Sequence, residues 1–383
     1  MQILYSGSTE PALVYFPNLF GDTPLRVYNT IQIGSFSITF YGIVIALGML
    51  LAMLYAFKTF RKVGVDPDRA IDAIIGGLIG GVVGARLYFV AFSWDNYGLD
   101  FSSGGALWDS IVQIFSIRQG GLAIYGGLIG ALLVGLLVAK WRKIHISSLL
   151  DVVGVGFLIG QGLGRWGNFF NVEAFGDNTT LPWGMWSEQT SAYLASHQSA
   201  LQSVGIMVDP SMPVHPCFLY ESIWCIVGFF LLSAYMKHRK FDGEVFLMYL
   251  AFYGAERSIV EGLRTDSLMI GSLRVSQLLA IVLTIGSIIA IFVIRSRIKG
   301  NHDENYGKLF VLTEEGQRIF NGIPEEKPIK KSRKAKKSEA TVEKETEIAS
   351  DKPEQPNFQK EDASNADATS NGEEKEDNGS TDH

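Results

Sequence analysis

Apolar blocks about as long as a helix needs to cross a bilayer (~20 residues) recur along this 383-residue chain, and they constrain its fold more than any other feature. Seven spans are expected, at 36–57, 70–92, 121–139, 149–169, 218–236, 243–262 and 273–294. Only 19% of the residues are charged and 41 are glycine, which suits helices that approach one another closely in lipid. The fold class expected is an all-α integral membrane protein of about seven transmembrane helices.

Lys and Arg set the expected orientation. Lys58, Arg61, Lys62 and Arg69 follow span one, Lys140, Arg142 and Lys143 follow span three, and Lys237, Arg239 and Lys240 follow span five. Arg295, Arg297 and Lys299 follow span seven. The opposite side is nearly free of positive charge: only Arg26 precedes span one, only Arg118 lies between spans two and three, and the loop 171–217 has neither Lys nor Arg. The N-terminus is therefore expected outside and the C-terminus in the cytoplasm. The first 25 residues lack a basic stretch followed by an apolar core, so span one is expected to act as its own insertion signal.

The net charge of −6 belongs to the end of the chain, where residues 300–383 hold 20 acids and 13 bases. "KPIKKSRKAKKSEA" and the Glu-, Asp-, Ser- and Asn-rich stretch after it bury too little apolar surface to fold. Three segments are expected: an extracytoplasmic start (1–35), a membrane catalytic domain (36–299) with a small outer cap at about 177–214, and a largely disordered tail (300–383). Trp183 and Trp186 are the expected interfacial anchors of the cap. Cys217 and Cys225 read as packing residues, with no metal site and no disulfide. The glycine ladders 76/80/84, 126/130 and 156/160/164 read as helix contacts.

Charged side chains inside such spans are costly, and they usually pair or line a functional cavity. Asp72 and Arg86 lie in span two, and Arg165, Asn168, Asn171 and Glu173 end span four. His215 and Glu221 open span five. Tyr253, Arg257, Glu261 and Arg264 follow one another at i, i+4, i+8 and i+11, which puts them on one face of span six. Two helices thus bring guanidinium groups to the same outer half of the membrane. Guanidinium matches phosphate oxygens in a bidentate fork, and the anion abundant at that depth is a lipid phosphate. Interposed carboxylates and a tyrosine can also stabilise a departing phosphate and accept a proton.

The stretch "GRWGNFFNVEAFG" (164–176) resembles the signature of the prolipoprotein diacylglyceryl transferase family at every fixed position: Gly164, Arg165, Gly167, Asn168, Phe169, Asn171, Glu173 and Gly176. Further similarity lies in Tyr41–Gly42, "GARLYFV", "GGLAIYGGLIG", "LPWG", "HPCFLYES" and "YGAERSIVEGLRTD", so the resemblance covers about 36–295. It implies transfer of the sn-1,2-diacylglyceryl group of phosphatidylglycerol to the lipobox cysteine of a preprolipoprotein. The products would be a thioether and glycerol phosphate, and the step would be the first in bacterial lipoprotein maturation. It implies a multi-pass protein of the bacterial cytoplasmic membrane, no cofactor, no metal and no nucleic-acid partner.

By the same resemblance Arg165 contacts the lipid phosphate and Arg257 stabilises the leaving phosphate, with Tyr41, Glu261, Tyr125 and Tyr253 as further catalytic candidates. Asn168, Glu173, Asn171, Arg264 and Gly164 complete the expected phosphatidylglycerol site. Two positions depart from well-known members. Tyr125 replaces a histidine, and a phenol with pKa ~10 is a poor base at neutral pH. Phe218 replaces a glutamine, and His215, a second candidate base, is expected to serve structure instead because it directly precedes Pro216. A transporter would also need intramembrane charge, but no internal repeat is visible. A lipase would need an activated Ser or Cys beside a His, and no such triad is found.

Overall fold

A computed structural model of the chain describes residues 10–34, 36–97, 103–116, 120–265, 269–270, 273–303 and 305–324. It opens with β1 (Ala12–Tyr15), a one-turn helix α1 (Pro17–Phe20), β2 (Leu25–Val27), β3 (Thr30–Ile33) and β4 (Phe36–Thr39). Then come α2 (Phe40–Phe60), α3 (Pro67–Phe92), α4 (Gly104–Phe115), α5 (Ile124–Trp141) and α6 (Ile146–Asn171). After β5 (Trp186–Ser187) and α7 (Glu188–Ser203) follow α8 (Cys217–Tyr235) and α9 (Glu244–Leu263). The hairpin β6 (Met269–Ile270) and β7 (Leu273–Arg274) leads into α10 (Val275–Gly300), and α11 (Glu314–Phe320) is the last helix among the described residues.

Each expected span corresponds to a long helix. Six of them, α2, α3, α5, α6, α8 and α10, are long and apolar enough to cross a membrane. The seventh, α9, has the length but carries Glu244, Glu256, Arg257 and Glu261, too many charges to rank by composition. We read it as a span because it packs against α6, α8 and α10. Span one starts later than its apolar run. Phe36–Thr39 instead pairs with Thr30–Ile33 in an antiparallel hairpin, and Thr39 then caps α2 by accepting from the Gly42 amide at 3.1 Å.

Glycine lets α3 and α5 lie backbone to backbone. A Cβ on Gly130 would collide with the Gly80 carbonyl, and one on Gly84 with the Gly126 carbonyl. The core of the bundle joins Phe60, Val63 and Val65 to Val152, Val155 and Leu158 of α6 and Val245 of α9. Where α9 begins, Gly243 has no side chain to cap the helix, so Asp151 of α6 does so. Its carboxylate accepts from the Gly243 and Phe246 amides, both at 2.9 Å, with Arg239 3.7 Å away.

The cap is larger than expected from sequence. β2, β1 and β5 form one antiparallel sheet, which joins the N-terminal segment to the loop before α7. Its core gathers Val14, Phe16, Val27, Phe175, Met185, Leu194 and Val214. Beyond α10, Phe310 seats its ring 4.5 Å from that of His145 and donates its amide to Asp242 at 2.6 Å. Order therefore continues past residue 300. The basic run, the acidic tail and Arg118 lie outside the described residues.

Asp151→Ala is expected to lower stability by about 1–3 kcal/mol, because it leaves the Gly243 and Phe246 amides without their buried acceptor, while Arg239 keeps Asp242 at 3.4 Å and the Met236 carbonyl at 3.1 Å. Asp151→Asn, which keeps one acceptor, should lose less. Thermal unfolding in detergent measures both, and an Asp151→Ala midpoint equal to wild type would contradict the capping role.

Candidate functional site

Many of the polar side chains singled out in the sequence meet where α6 and α9 end and α8 begins, whereas Asp72 pairs with Arg142 at 2.7 Å and Arg86 donates to the Gln113, Ile114, Gly120 and Gly121 carbonyls. The chain turns sharply after α6. Val172 and Ala174 both take positive φ (52° and 56°), an uncommon state for residues with a Cβ. That turn folds Glu173 back over α6, where its Oε1 accepts from Asn168 at 3.0 Å and from Asn171 at 3.3 Å. Three signature residues thus brace one another.

Arg165, one turn earlier, points across to α8. Its Nε pairs with Glu221, and its Nη2 lies 3.5 Å from the Tyr253 hydroxyl of α9. Glu221 is only 1% exposed and is the centre of the cluster. Its Oε1 also accepts from Arg257 at 3.2 Å and lies 3.9 Å from Arg264. Arg257 reaches Glu261, one turn on, at 2.5 Å. A single buried carboxylate therefore ties Arg165 of α6 to Arg257 of α9, while Glu261 holds the other edge of Arg257. Breaking such a pair by removing one partner leaves an uncompensated buried charge.

Beside this cluster runs a cavity of about 480 Å³ between α2 and α6, with Ile74 and Leu78 of α3 on its wall. Apolar residues such as Ile45, Met49, Ala52 and Phe157 line most of it, and Tyr41, Arg165 and Asn168 stand at one end. The ring of Tyr41 fits there because residue 167 is glycine, as a Cβ would run into the ring. Gly164 plays a similar part, since a Cβ there would press on Ile45 at 3.1 Å. The arrangement is a greasy slot with a cationic, hydrogen-bonding end.

The structure therefore brings together Arg165, Arg257, Arg264, Glu261 and Tyr253, with Asn168 and Tyr41 at the adjoining mouth and Asn171 and Glu173 behind them. It does not bring in Tyr125. That side chain is 58% exposed near the start of α5 and has no hydrogen bond or ion pair with the cluster among the described residues. Sequence reading undervalued Glu221, whose signal was a lone carboxylate in the first turns of an apolar span.

His215 stands apart, in the strap between cap and α8. Its Nδ1 lies 3.0 Å from the Tyr220 hydroxyl, which accepts from Trp183 at 2.8 Å, and its Nε2 lies 3.8 Å from Asp177. The strap is tied down by backbone bonds, Gly176 N–H to His215 O and Asp177 N–H to Leu263 O. Burial pushes the His215 imidazole below its ordinary 6.5, partly offset by Asp177, and burial raises the Asp177 carboxyl above 3.8. A lowered histidine contributes stability that is full above 6.5 and is lost as pH falls through the folded value. Asp177 acts in the opposite sense and in a more acidic window, its contribution being lost as pH rises from 3.8. The unfolding midpoint should therefore fall with acidification below 6.5 and do so less in His215→Gln; equal slopes in both proteins would contradict this.

A family model described as Prolipoprotein diacylglyceryl transferase matches residues 29–293. A protein of Bacillus cereus (strain G9842) named phosphatidylglycerol–prolipoprotein diacylglyceryl transferase is 39% identical over 290 residues, 76% of this chain and 99% of the relative. A protein of the same name from Clostridioides difficile (strain 630) is 39% identical over 267 residues, covering 70% of this chain and 95% of the relative. One from Bacillus anthracis is 38% identical over 290 residues, 76% and 99% of the two chains.

Proposed function

The chain belongs to the prolipoprotein diacylglyceryl transferase family, and from that premise we propose that it moves the diacylglyceryl group of phosphatidylglycerol onto the lipobox cysteine of a preprolipoprotein in the bacterial cytoplasmic membrane. The observation that carries this reading is the convergence of Arg165 and Arg257 on Glu221 at the polar end of an apolar cavity. One acyl chain of the lipid lies in the slot between α2 and α6. Its phosphate then sits at the mouth, beside Arg165 and Asn168 and within reach of Arg257.

In the transfer the cysteine sulfur forms a bond to the glyceryl carbon that bears the phosphate. The C–O bond breaks, glycerol phosphate departs, and the thiol proton is released. Charge on the leaving phosphate grows as that bond lengthens, so fixed guanidinium groups stabilise the transition state more than the bound lipid. Glu221 and Glu261 hold Arg257 in place before substrate arrives, so little reorganisation accompanies the reaction. Arg165 and Asn168 act mainly on binding. The signal peptide must enter from the membrane side, because both substrates reside in the bilayer. With the N-terminus outside, the site faces the outer leaflet.

Purified full-length protein, phosphatidylglycerol and a lipobox peptide, followed by peptide mass and released glycerol phosphate, test this. Wild type should add one diacylglyceryl mass, and Arg257→Ala should lose activity by about a hundredfold or more. Tyr125→Phe should stay within about threefold of wild type, the ordinary scatter for an exposed residue outside the cluster. Full activity in Arg165→Ala or Arg257→Ala, or no mass gain from folded wild type, would contradict the proposal.

The slot makes a separate prediction. Gly160 lines it, and a Cβ there meets nothing within 4 Å, so Gly160→Leu projects into the cavity without displacing a helix. It should raise KM for long-chain phosphatidylglycerol and affect a short-chain analogue much less. An equal effect on both lipids would place the acyl chain elsewhere.

A further inference from the structure

Gln161 is a polar side chain that stands inside the slot and not at its mouth. The slot's other polar side chains among the described residues, Tyr41, Arg165 and Asn168, gather at one end. Further in, the walls are apolar, with Met49, Ala56, Val152 and Phe157. Gln161 precedes Arg165 by one turn of α6, so the two share a face and stand about 6 Å apart along the helix. An amide at that depth has no water to fall back on, and a polar group left incompletely bonded there is costly.

The hydrogen-bonding capacity of Gln161 is not filled. Its Nε2 donates to the Tyr249 hydroxyl of α9 at 3.0 Å, while Oε1 is buried with no partner among the described residues. Tyr249 is itself buried. Amide and phenol together carry more N–H and O–H donors than their single mutual bond uses. Turning the amide over, so that Tyr249 donates to Oε1, leaves both of its N–H groups over. In either orientation an amide hydrogen on the wall of the slot lacks an acceptor among the described residues.

What enters an apolar slot brings few acceptors. Hydrocarbon has none, and phosphate belongs with the guanidinium and amide groups at the mouth. The next acceptor along a diacylglyceryl lipid is an ester carbonyl. Between the phosphorus and the sn-2 carbonyl carbon stand two glyceryl carbons and two ester oxygens, a reach comparable to one turn of helix (about 5–6 Å). A lipid whose phosphate lies at Arg165 and whose chain fills the slot therefore brings this carbonyl level with Gln161.

We propose that the Gln161 amide donates a hydrogen bond to an acyl-ester carbonyl of the bound lipid, so that the slot distinguishes diacyl from dialkyl lipids and fixes the depth of the glyceryl group. This rests on the reading of the slot as the lipid site. Tyr249 holds the amide from α9 and so orients it toward the lipid. The contact is remote from the C–O bond that breaks and is made alike before and during the reaction, so it acts on KM and leaves kcat unchanged.

The test compares phosphatidylglycerol with its diether analogue of equal chain length, using the full chain in detergent and a lipobox peptide. The diether keeps the phosphate and the reacting carbon but has no carbonyl. Wild type should show a KM about three- to tenfold lower for the diester, the effect of one neutral hydrogen bond. Gln161→Met, close in shape and without a donor, should raise KM for the diester by that factor. It should leave KM for the diether, and kcat for both lipids, within about twofold. A purely structural bond between α6 and α9 would instead move both lipids together. Equal KM values for the two lipids in wild type, or an equal shift for both in Gln161→Met, would overturn this proposal and leave the transferase reading standing. No transfer from either lipid by folded wild type would overturn both.

Discussion

The polar cluster at the end of the bundle where α8 begins depends on one buried carboxylate. Glu221 is almost fully enclosed, yet it pairs with Arg165 of α6 and accepts from Arg257 of α9. Without it, two guanidinium groups would face each other across helices that pack closely, and their repulsion would be poorly screened away from water. With it, three helices share a single electrostatic knot. Guanidinium groups can then be held among packed helices with their counter-charge already in place.

The other end of the bundle uses the same device for a different purpose. Asp151 caps α9 from a neighbouring helix, and Glu244 in the first turn of α9 binds Arg295 at 2.5 Å. Both ends of α9 are thus fixed by charges from other helices, which explains how a helix too polar to rank as a span by composition keeps its place. Its register sets which residues face α6 and α8, and so determines where Arg257, Glu256 and Glu261 stand. The glycine contact between α3 and α5 is independent of this and serves packing alone.

Much of this was legible in the sequence. The seven helices follow from the length of the apolar blocks, and the i, i+4, i+8 spacing of Tyr253, Arg257 and Glu261 put them on one face. Residues 164–176 named their own partners, because Asn168, Asn171 and Glu173 are close enough in sequence to meet through one turn. What could not be read were contacts between residues far apart. Glu221 lies 56 residues from Arg165 and 36 from Arg257, and no local pattern links them. The pairing of β1 with β5 was hidden for the same reason, since a two-residue strand leaves no periodicity. Motif proximity says nothing of which helix neighbours the cluster, and Tyr125 lies on α5, which packs chiefly on α3.

The most direct test of the account is a cryo-electron microscopy structure of the full chain in nanodiscs of phosphatidylglycerol. The account predicts a lipid phosphate within hydrogen-bonding distance of Arg165 or Arg257 and an acyl chain in the slot lined by Ile45, Met49 and Phe157. A headgroup bound elsewhere, with that slot empty and the Arg165–Glu221–Arg257 knot unengaged, would contradict it.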